Sequence, residues 1–428
     1  MLEAGVDLLE LQQILGHVSI LTTARYTHLT STTANNTRVV VNSLVNFPGH
    51  PVGRAQIMLL SAIINKFSDS FFSTYKKNLL PGHTKALKSM ARCRQEHGPH
   101  MLAHCSDHQC GGQVYIPHSC GHRNCPHCQH HESQQWLENQ LEKRLPCRYY
   151  LITFTLPEQL RDLAWKNQKT VYTLMFRAVQ ELLKSFTDND KKLGGSPGFT
   201  AILHTQARTL DYHPHIHVVM PGASVNLKTG LWKEKSGKYL FSHKALAKVF
   251  RAKLLQAMVD NKLPVPPDCP RQWVVDCKDA GTGEEALIYL GRYLYRGVIR
   301  EKDILHCQNG MVTFRYRHAK SGEERTRTVT GEYFLYLLML HVLPRGFRRA
   351  RSYGFLHSCS KKLIRFLQLV LRVAPWRALV RNRKPRPAII CPACGAAMVI
   401  AATRLARPRP QVFPATLAQQ AEPEALPM

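Results

Sequence analysis

The chain has 428 residues, with 58 Lys plus Arg against 29 Asp plus Glu, so its formal charge is +29 before any of its 22 histidines is counted. That excess points to a polyanionic partner, and a hydrophobic content of 44% excludes wholesale disorder. The longest apolar run, Tyr333–Leu340, falls well short of the ~18–20 residues that cross a bilayer. The N-terminus, MLEAGVDLLELQQ, has no basic region leading into an apolar one, so the chain is expected to stay in the cytoplasm. Thirteen cysteines in a reducing compartment read as metal ligands and buried thiols rather than disulfides, and zinc is the first cofactor to consider.

Residues 1–30 read as an amphipathic helix, apolar at Leu8, Leu11, Ile14 and Leu15, broken at Gly16-His17 and followed by a short helical stretch to His28. Residues 31–54, with TSTTANNT and FPGHPVG, read as a linker. A domain over 55–147 begins with helical periodicity to about Arg94, and its cysteine and histidine density then rises between Cys93 and His131. Next come a strand, Tyr149–Leu156, closed by Pro157, and helical periodicity over 163–186. The segments FTAILHTQ and HIHVVMP read as a hairpin, followed by a helix over 245–259, a strand over 273–276, a helix over 284–295 and a strand over 311–317. That order is α+β with an antiparallel sheet, and it defines a second domain over 148–330. Between Arg345 and Arg386 stand 13 Lys or Arg and no Asp or Glu, interleaved with Phe347, Tyr353, Phe355, Phe366 and Trp376. Such a stretch can hold phosphates and stack bases. Residues 331–400 therefore read as a basic, helical DNA-binding region, and 401–428 as a disordered Pro- and Ala-rich tail.

Three constellations carry chemistry. Cys105-x4-Cys110 and Cys120-x4-Cys125-Pro-His-Cys128 suit tetrahedral zinc; the expected ligands are Cys105, Cys110, Cys125 and Cys128, with Cys120 able to replace one. In His213-Pro-His215-Ile-His217 the period of a strand puts His215 and His217 on one face and sends Ile216 and Val218 into the core. His204, on the partner strand, is the nearest third ligand by parity; Glu284 or Glu285 could serve instead if the following helix packs over the metal. A divalent ion there would polarise a phosphodiester oxygen. Tyr289 and Tyr293 are four apart, so on a helix they share a face. A phenol attacking a DNA phosphate forms a phosphotyrosine that stores the bond energy for later rejoining.

SCGHRNCPHCQ at 119–129, TFTLP at 153–157, LHTQARTLDYHPHIHVVMPG at 203–222, YLGRYLYR at 289–296 and HVLPRGFRRARSYGFLH at 341–357 occur in that order. The run resembles the insertion sequence 91 family of rolling-circle transposases over about residues 60–400. The resemblance implies an N-terminal zinc-binding module, then an HUH endonuclease domain with His215 and His217 as its metal pair, Mg²⁺ or Mn²⁺ as the catalytic ion, and Tyr289 and Tyr293 as two nucleophiles. Such an enzyme nicks one DNA strand at the element's end, forms a 5′-phosphotyrosine and moves single-stranded DNA in the bacterial nucleoid. Arg292, Arg345, Arg348, Arg349 and Arg351 are the candidate phosphate contacts. The chain departs from the family at Gly121-His122-Arg123-Asn124, where Arg-Asn-Arg-His is usual, and at Gln206, where Trp is usual.

EAGVDLLELQQILGHVSILTTARYTHL at 3–29 instead resembles the last two helices of a tyrosine recombinase, with His17 at its late histidine box and Tyr26 at its nucleophile. The arginines that hold the scissile phosphate in that family would lie upstream, so Tyr26 is expected to be catalytically dead. Rival readings are a plasmid replication initiator or conjugative relaxase, against which the order of zinc module, hairpin and basic region argues, and a zinc-dependent DNA-binding protein whose nuclease centre has decayed. Metal-dependent cleavage separates the last from an enzyme.

Overall fold

The computed structural model describes residues 59–95, 98–128, 130–295, 297–318, 321–373 and 388–405, with the side chains of residues 130, 292, 293 and 295 outside that description. The expectations for residues 1–58, His17 and Tyr26 among them, for Trp376 and for the tail from 406 on lie outside the described residues.

Two helices come first, α1 (Leu60–Tyr75) and α2 (Pro81–Ala91), then β1 (His100–Cys105), β2 (Gln113–Pro117) and α3 (His130–Leu141). The central part runs β3 (Tyr149–Thr155), α4 (Arg161–Lys166), α5 (Gln168–Asp188), β4 (Ser196–Gln206), β5 (Tyr212–Pro221), β6 (Ala223–Val225), β7 (Trp232–Glu234), α6 (His243–Asp260), β8 (Val275–Asp279) and α7 (Glu284–Tyr295). The chain continues with β9 (Ile304–Gln308), β10 (Met311–Arg317), β11 (Glu324–Thr330), α8 (Gly331–Met339), β12 (Ala350–Gly354), α9 (Lys361–Val370), β13 (Ile389–Ile390) and β14 (Ala397–Leu405).

The main sheet has the order β7-β6-β4-β5-β3-β8, with β12 pairing the same edge of β4 beyond β6, and every pairing in it is antiparallel. Alternation along its strands gives it two different faces. Tyr150, Ile152 and Phe154 of β3, Ala201 and Leu203 of β4, and Ile216, Val218 and Met220 of β5 enter the largest core. That core is closed by Val171, Met175, Val179 and Leu182 of α5 and by Leu246, Phe250 and Leu254 of α6. The opposite face presents Leu151, Ile202 and Val219 to Ala286, Leu287, Leu290 and Leu294 of α7, which leans in turn on Trp136 and Leu137 of α3. Gly354 ends β12 at φ +57°, where an added Cβ would lie 1.6 Å from the Pro197 carbonyl oxygen; only glycine lets the two backbones approach there.

A second core gathers Ile63, Ile64, Phe67 and Phe71 of α1, Leu87 and Met90 of α2, Val312 and Phe314 of β10, and Phe334, Leu335 and Leu338 of α8, with Cys93, Cys125 and Cys128 at its margin. Its sheet has the order β11-β10-β9. A third sheet, ordered β13-β14-β1-β2, unites the first two described strands with the last two.

Residues 331–400 are helical at α8 and α9, yet they do not form a separate region. A helix apolar all round must be covered all round, and α8 packs against α1 in the second core. β12 extends the main sheet, and β13 and β14 belong with β1. Phe347 and Phe355, expected to stack bases, are 7% and 1% exposed, and Tyr353 stacks on Phe199 at 4.8 Å. The aromatic residues of β12 and its flanks are therefore packed against the protein, and among the described members of the set Phe366, 49% exposed, is the accessible one.

Phe154 is fully buried, with its ring 5.0 Å from that of Phe250. Phe154→Ala is expected to cost about 3–5 kcal/mol in urea unfolding, whereas Leu369→Ala, at a position 75% exposed, changes stability by about 0.5 kcal/mol or less.

Candidate functional site: three histidines beside a tyrosine helix

β4 pairs with β5 so that His204 stands opposite His215 and Ile202 opposite His217, while Thr153 of β3 stands opposite His217 on the other side. Directly opposed residues project to the same face, and His204, His215 and His217 meet on the face that α7 covers. Their ring centroids are 4.7 Å apart for His204 and His217, 4.8 Å for His215 and His217, and 5.4 Å for His204 and His215. One ring nitrogen from each lies within 4.8 Å of the others. Neither Glu284 nor Glu285 joins this group; Arg144 holds Glu284 at 2.7 Å near the start of α7.

The far sides of two rings are engaged. The His215 Nδ1 is 2.7 Å from the His213 carbonyl, to which it donates, and the His217 Nδ1 is 2.9 Å from the Thr153 hydroxyl. At His215 the committed Nδ1–H leaves Nε2 with its lone pair, which is the tautomer a metal requires. Burial, 6% exposure for His204 and 9% for His217, keeps the rings neutral. Burial lowers His215 to about 4, and burial plus neighbouring His215 lowers His217 to about 3. Burial, followed by His217, His215 and Arg349, holds His204 well below the usual imidazole range. Three neutral imidazoles, one with its tautomer fixed, are a donor set fit for a divalent transition ion.

α7 carries the tyrosines. The Tyr289 ring stands 6.4 Å from that of His217 and is 41% exposed. Tyr293 occupies the helix one turn on; its side chain, like that of Arg292, lies outside the described residues. The helix is held from three directions. Its apolar face lies on the sheet, Ser133 of α3 donates to the Gly291 carbonyl at 2.8 Å, and Arg349 donates to the Leu294 carbonyl at 3.1 Å.

The basic residues separate into two kinds. Arg345 and Arg348 are exposed. Arg349 is turned to the C-terminal end of α7, and the Arg351 guanidinium lies 4.2 Å over Phe176 and 5.2 Å over Phe347. Arg349 and Arg351 are half-buried and engaged within the protein, so Arg345 and Arg348 are the exposed residues among these candidates for phosphate contact.

The cysteines do not converge as the four Cys105, Cys110, Cys125 and Cys128. Cys125 and Cys128 lie with Cys120 and Cys93, and Cys105 and Cys110 lie with Cys391 and Cys394. β1 and β2 carry the first pair away from the CPHC turn, which explains the separation. In the first set Cys93 is 3.5 Å from Cys125 and 3.7 Å from Cys128, and Cys120 is 3.6 Å from Cys128. Hydrogen bonds from Cys120 and Cys125 hold the Cys128 thiol well below its ordinary range. Cys93 was missed as a ligand because it stands alone at the end of α2, without a spacing motif.

The turn around this first set fastens the module to the rest of the chain. The Asn124 amide donates to the His341 carbonyl at 3.0 Å, Arg123 donates to the Phe347 carbonyl at 3.0 Å, and His127 pairs with Glu301 at 2.7 Å. Glu301 also accepts from the Leu60 backbone N–H at 2.7 Å. A Cβ on Gly297 would lie 2.5 Å from the Asn124 carbonyl oxygen, so the close approach there needs glycine.

Comparison with known proteins agrees with this arrangement. A family profile described as a transposase zinc-binding domain matches residues 63–156, and one described as a putative transposase matches residues 198–363. The putative transposase y4qJ of Sinorhizobium fredii (strain NBRC 101917 / NGR234) is 33% identical over 271 residues, which cover 58% of this chain and 68% of that one. The transposase for insertion sequence element IS801 of Pseudomonas savastanoi pv. phaseolicola is 26% identical over 333 residues, 70% of this chain and 78% of that one. Among solved structures, the conjugative relaxase TrwC with a mutant oriT DNA is 18% identical with a TM-score of 0.23, covering 30% of this chain and 49% of that chain, about half its length. Its metal-free complex with oriT DNA is 14% identical, covers 52% of this chain and 70% of that chain, and also has a TM-score of 0.23. The zinc-binding domain followed by the antiparallel-sheet domain with its histidine cluster is that of a DNA transposase. The chain belongs to the insertion sequence 91 family of transposases. Among the described residues no helix is long and apolar enough to cross a membrane.

The buried imidazoles give a pH signature. The unfolded chain takes up protons at these rings below about pH 6.5, whereas folded His215 stays neutral to about 4. The unfolded state then binds more protons, so acid destabilises the fold across that window. After brief chelation the wild type is expected to lose more of its urea midpoint between pH 7 and pH 4.5 than His215→Gln does, and equal losses would sink this assignment.

Proposed function

We propose that the chain nicks and rejoins single-stranded DNA at transposon ends, with Tyr289 as nucleophile and His204, His215 and His217 as the seat of a catalytic divalent ion. The observation that carries this reading is the accessible Tyr289 ring beside three buried, neutral imidazoles. An ion bound there would draw charge from a phosphodiester oxygen as a Lewis acid. Three nitrogen donors without a carboxylate favour Mn²⁺ over Mg²⁺, which prefers oxygen ligands.

The chain's own part is positional. The Tyr289 Oη gives up its proton and attacks phosphorus, an O–P bond forms, and the bond to the 3′ oxygen breaks as that oxygen takes up a proton, so no net proton is gained or lost. The 5′-phosphoryl group stays on the tyrosine. A 3′ hydroxyl later attacks the same phosphorus, restores a phosphodiester and returns the phenol, so one ester replaces another and no ATP is needed. Tyr293, a helical turn from Tyr289, is the second nucleophile in this scheme, able to hold one strand end while Tyr289 is occupied. Fastening of α7 by Ser133 and Arg349 supports the reading, because a nucleophile must be held near attack distance and direction. Cys93, Cys120, Cys125 and Cys128 hold a structural zinc under the second core, and Arg345 and Arg348 contribute to the phosphate-binding surface.

Labelled single-stranded DNA from the element's own ends, incubated with Mn²⁺, Mg²⁺ or EDTA and run on a denaturing gel, tests the scheme. A metal-dependent covalent adduct is expected in wild type and none in Tyr289→Phe/Tyr293→Phe. His215→Ala/His217→Ala should lower adduct formation by on the order of 10² or more. An unchanged adduct in Tyr289→Phe would remove that residue from the nucleophile's role. Tight binding with no adduct under any divalent ion would favour a DNA-binding protein whose nuclease centre has decayed.

A further inference from the structure

Cys391 and Cys394 lie beyond both stretches that the family profiles match, 63–156 and 198–363. They nevertheless meet Cys105 and Cys110, from which they are separated by more than 280 residues. The Cys105 Sγ is 3.3 Å from that of Cys394 and the Cys110 Sγ 3.8 Å from that of Cys391, and all four sulfurs lie within 4.8 Å of one another. Both arms turn back in the same way. Cys105 N–H donates to the Gly112 carbonyl at 2.8 Å and Cys391 N–H to the Ala396 carbonyl at 2.8 Å. Each second cysteine is followed by a left-handed glycine, Gly111 at φ +61° and Gly395 at φ +75°.

We propose that Cys105, Cys110, Cys391 and Cys394 form a second tetrathiolate zinc site, which clasps the C-terminal hairpin to the N-terminal zinc-binding module. Four thiolates around zinc at about 2.3 Å place neighbouring sulfurs roughly 3.8 Å apart, close to the spacing found. Disulfide pairing would need about 2.05 Å, and every cysteine here is unbridged. The sheet also lacks the apolar means to hold itself. Its buried cluster consists of Ala103, Cys110, Cys391 and Met398, while Ile390, Val399 and Ile400 are 57%, 61% and 45% exposed. A two-residue strand, β13, and a core half made of cysteine are what a small module shows when metal stands in for hydrophobic burial. The site is independent of the three histidines and of the reaction proposed for them.

Cobalt titration of the full-length, metal-stripped and reduced protein tests this, because the intense sulfur-to-cobalt charge-transfer band reports thiolate ligation and ignores the histidine cluster. The wild type is expected to saturate that band at two equivalents per chain and to carry two thiolate-bound zinc ions by elemental analysis. Cys391→Ser/Cys394→Ser should retain one, with residues 388–405 becoming open to proteolysis. Cys394→His, at an exposed position and still able to ligate zinc, should restore the second. Saturation of the wild type at one equivalent, or two equivalents retained in the serine variant, would overturn the site. So would an intact mass showing a disulfide between Cys105 and Cys394.

Discussion

The register of β4 against β5 is the constraint on which the rest depends. A strand turns alternate residues to opposite faces, so a slip of one position would send every side chain of β5 to the other side. With His204 opposite His215 and Ile202 opposite His217, three imidazoles gather on one face and Ile216, Val218 and Met220 fill the core on the other. The register is itself enforced by that core, because exposing those three apolar residues would cost far more than the histidines could return by being buried. The site is thus set by hydrophobic burial on the face away from it.

The two faces of the main sheet do different work. α5 and α6 seal one face as an ordinary core. α7 covers the other only in part, its apolar residues lying over Leu151, Ile202 and Val219 and its tyrosine edge left beside the histidines. A helix lodged in this way needs outside support, and it comes from distant parts of the chain: Ser133 from α3 and Arg349 from the approach to β12. The segment around Arg349 is in turn tied to the zinc module by Asn124 and Arg123. Segment 341–349 thus bonds to the module at one point and to the tyrosine helix at another.

Local patterns were legible in the sequence, and long-range partnerships were not. Strand alternation in HPHIHVV gave the facing of His215 and His217, and parity alone brought in His204, since two strands joined by a short loop leave little choice of register. The helix over 284–295 and the strand over 311–317 came out with the boundaries the structure has, because their apolar periods are clean. The cysteines were another matter. Spacing grouped Cys105 and Cys110 with Cys125 and Cys128, yet a strand pair diverts the first two, and their companions stand near the end of the described chain. Basic composition between 345 and 386 suggested one surface, but the period of β12 turns Arg351 onto Phe176 and buries Phe355. Composition reports what a segment contains, and only tertiary pairing decides which way each residue faces.

The pairing of β14 with β1, from His100 opposite Leu405 to Cys105 opposite Met398, bears on the order in which the protein is made. At roughly 5–20 residues per second, β1 leaves the ribosome on the order of tens of seconds before its partner strand exists. During that interval one edge of β1 and two thiols have no native companions, and an unpaired edge invites other chains. Closure of that edge therefore waits until β14 has been made, and a polypeptide lacking residues 397–405 leaves β1 open along it.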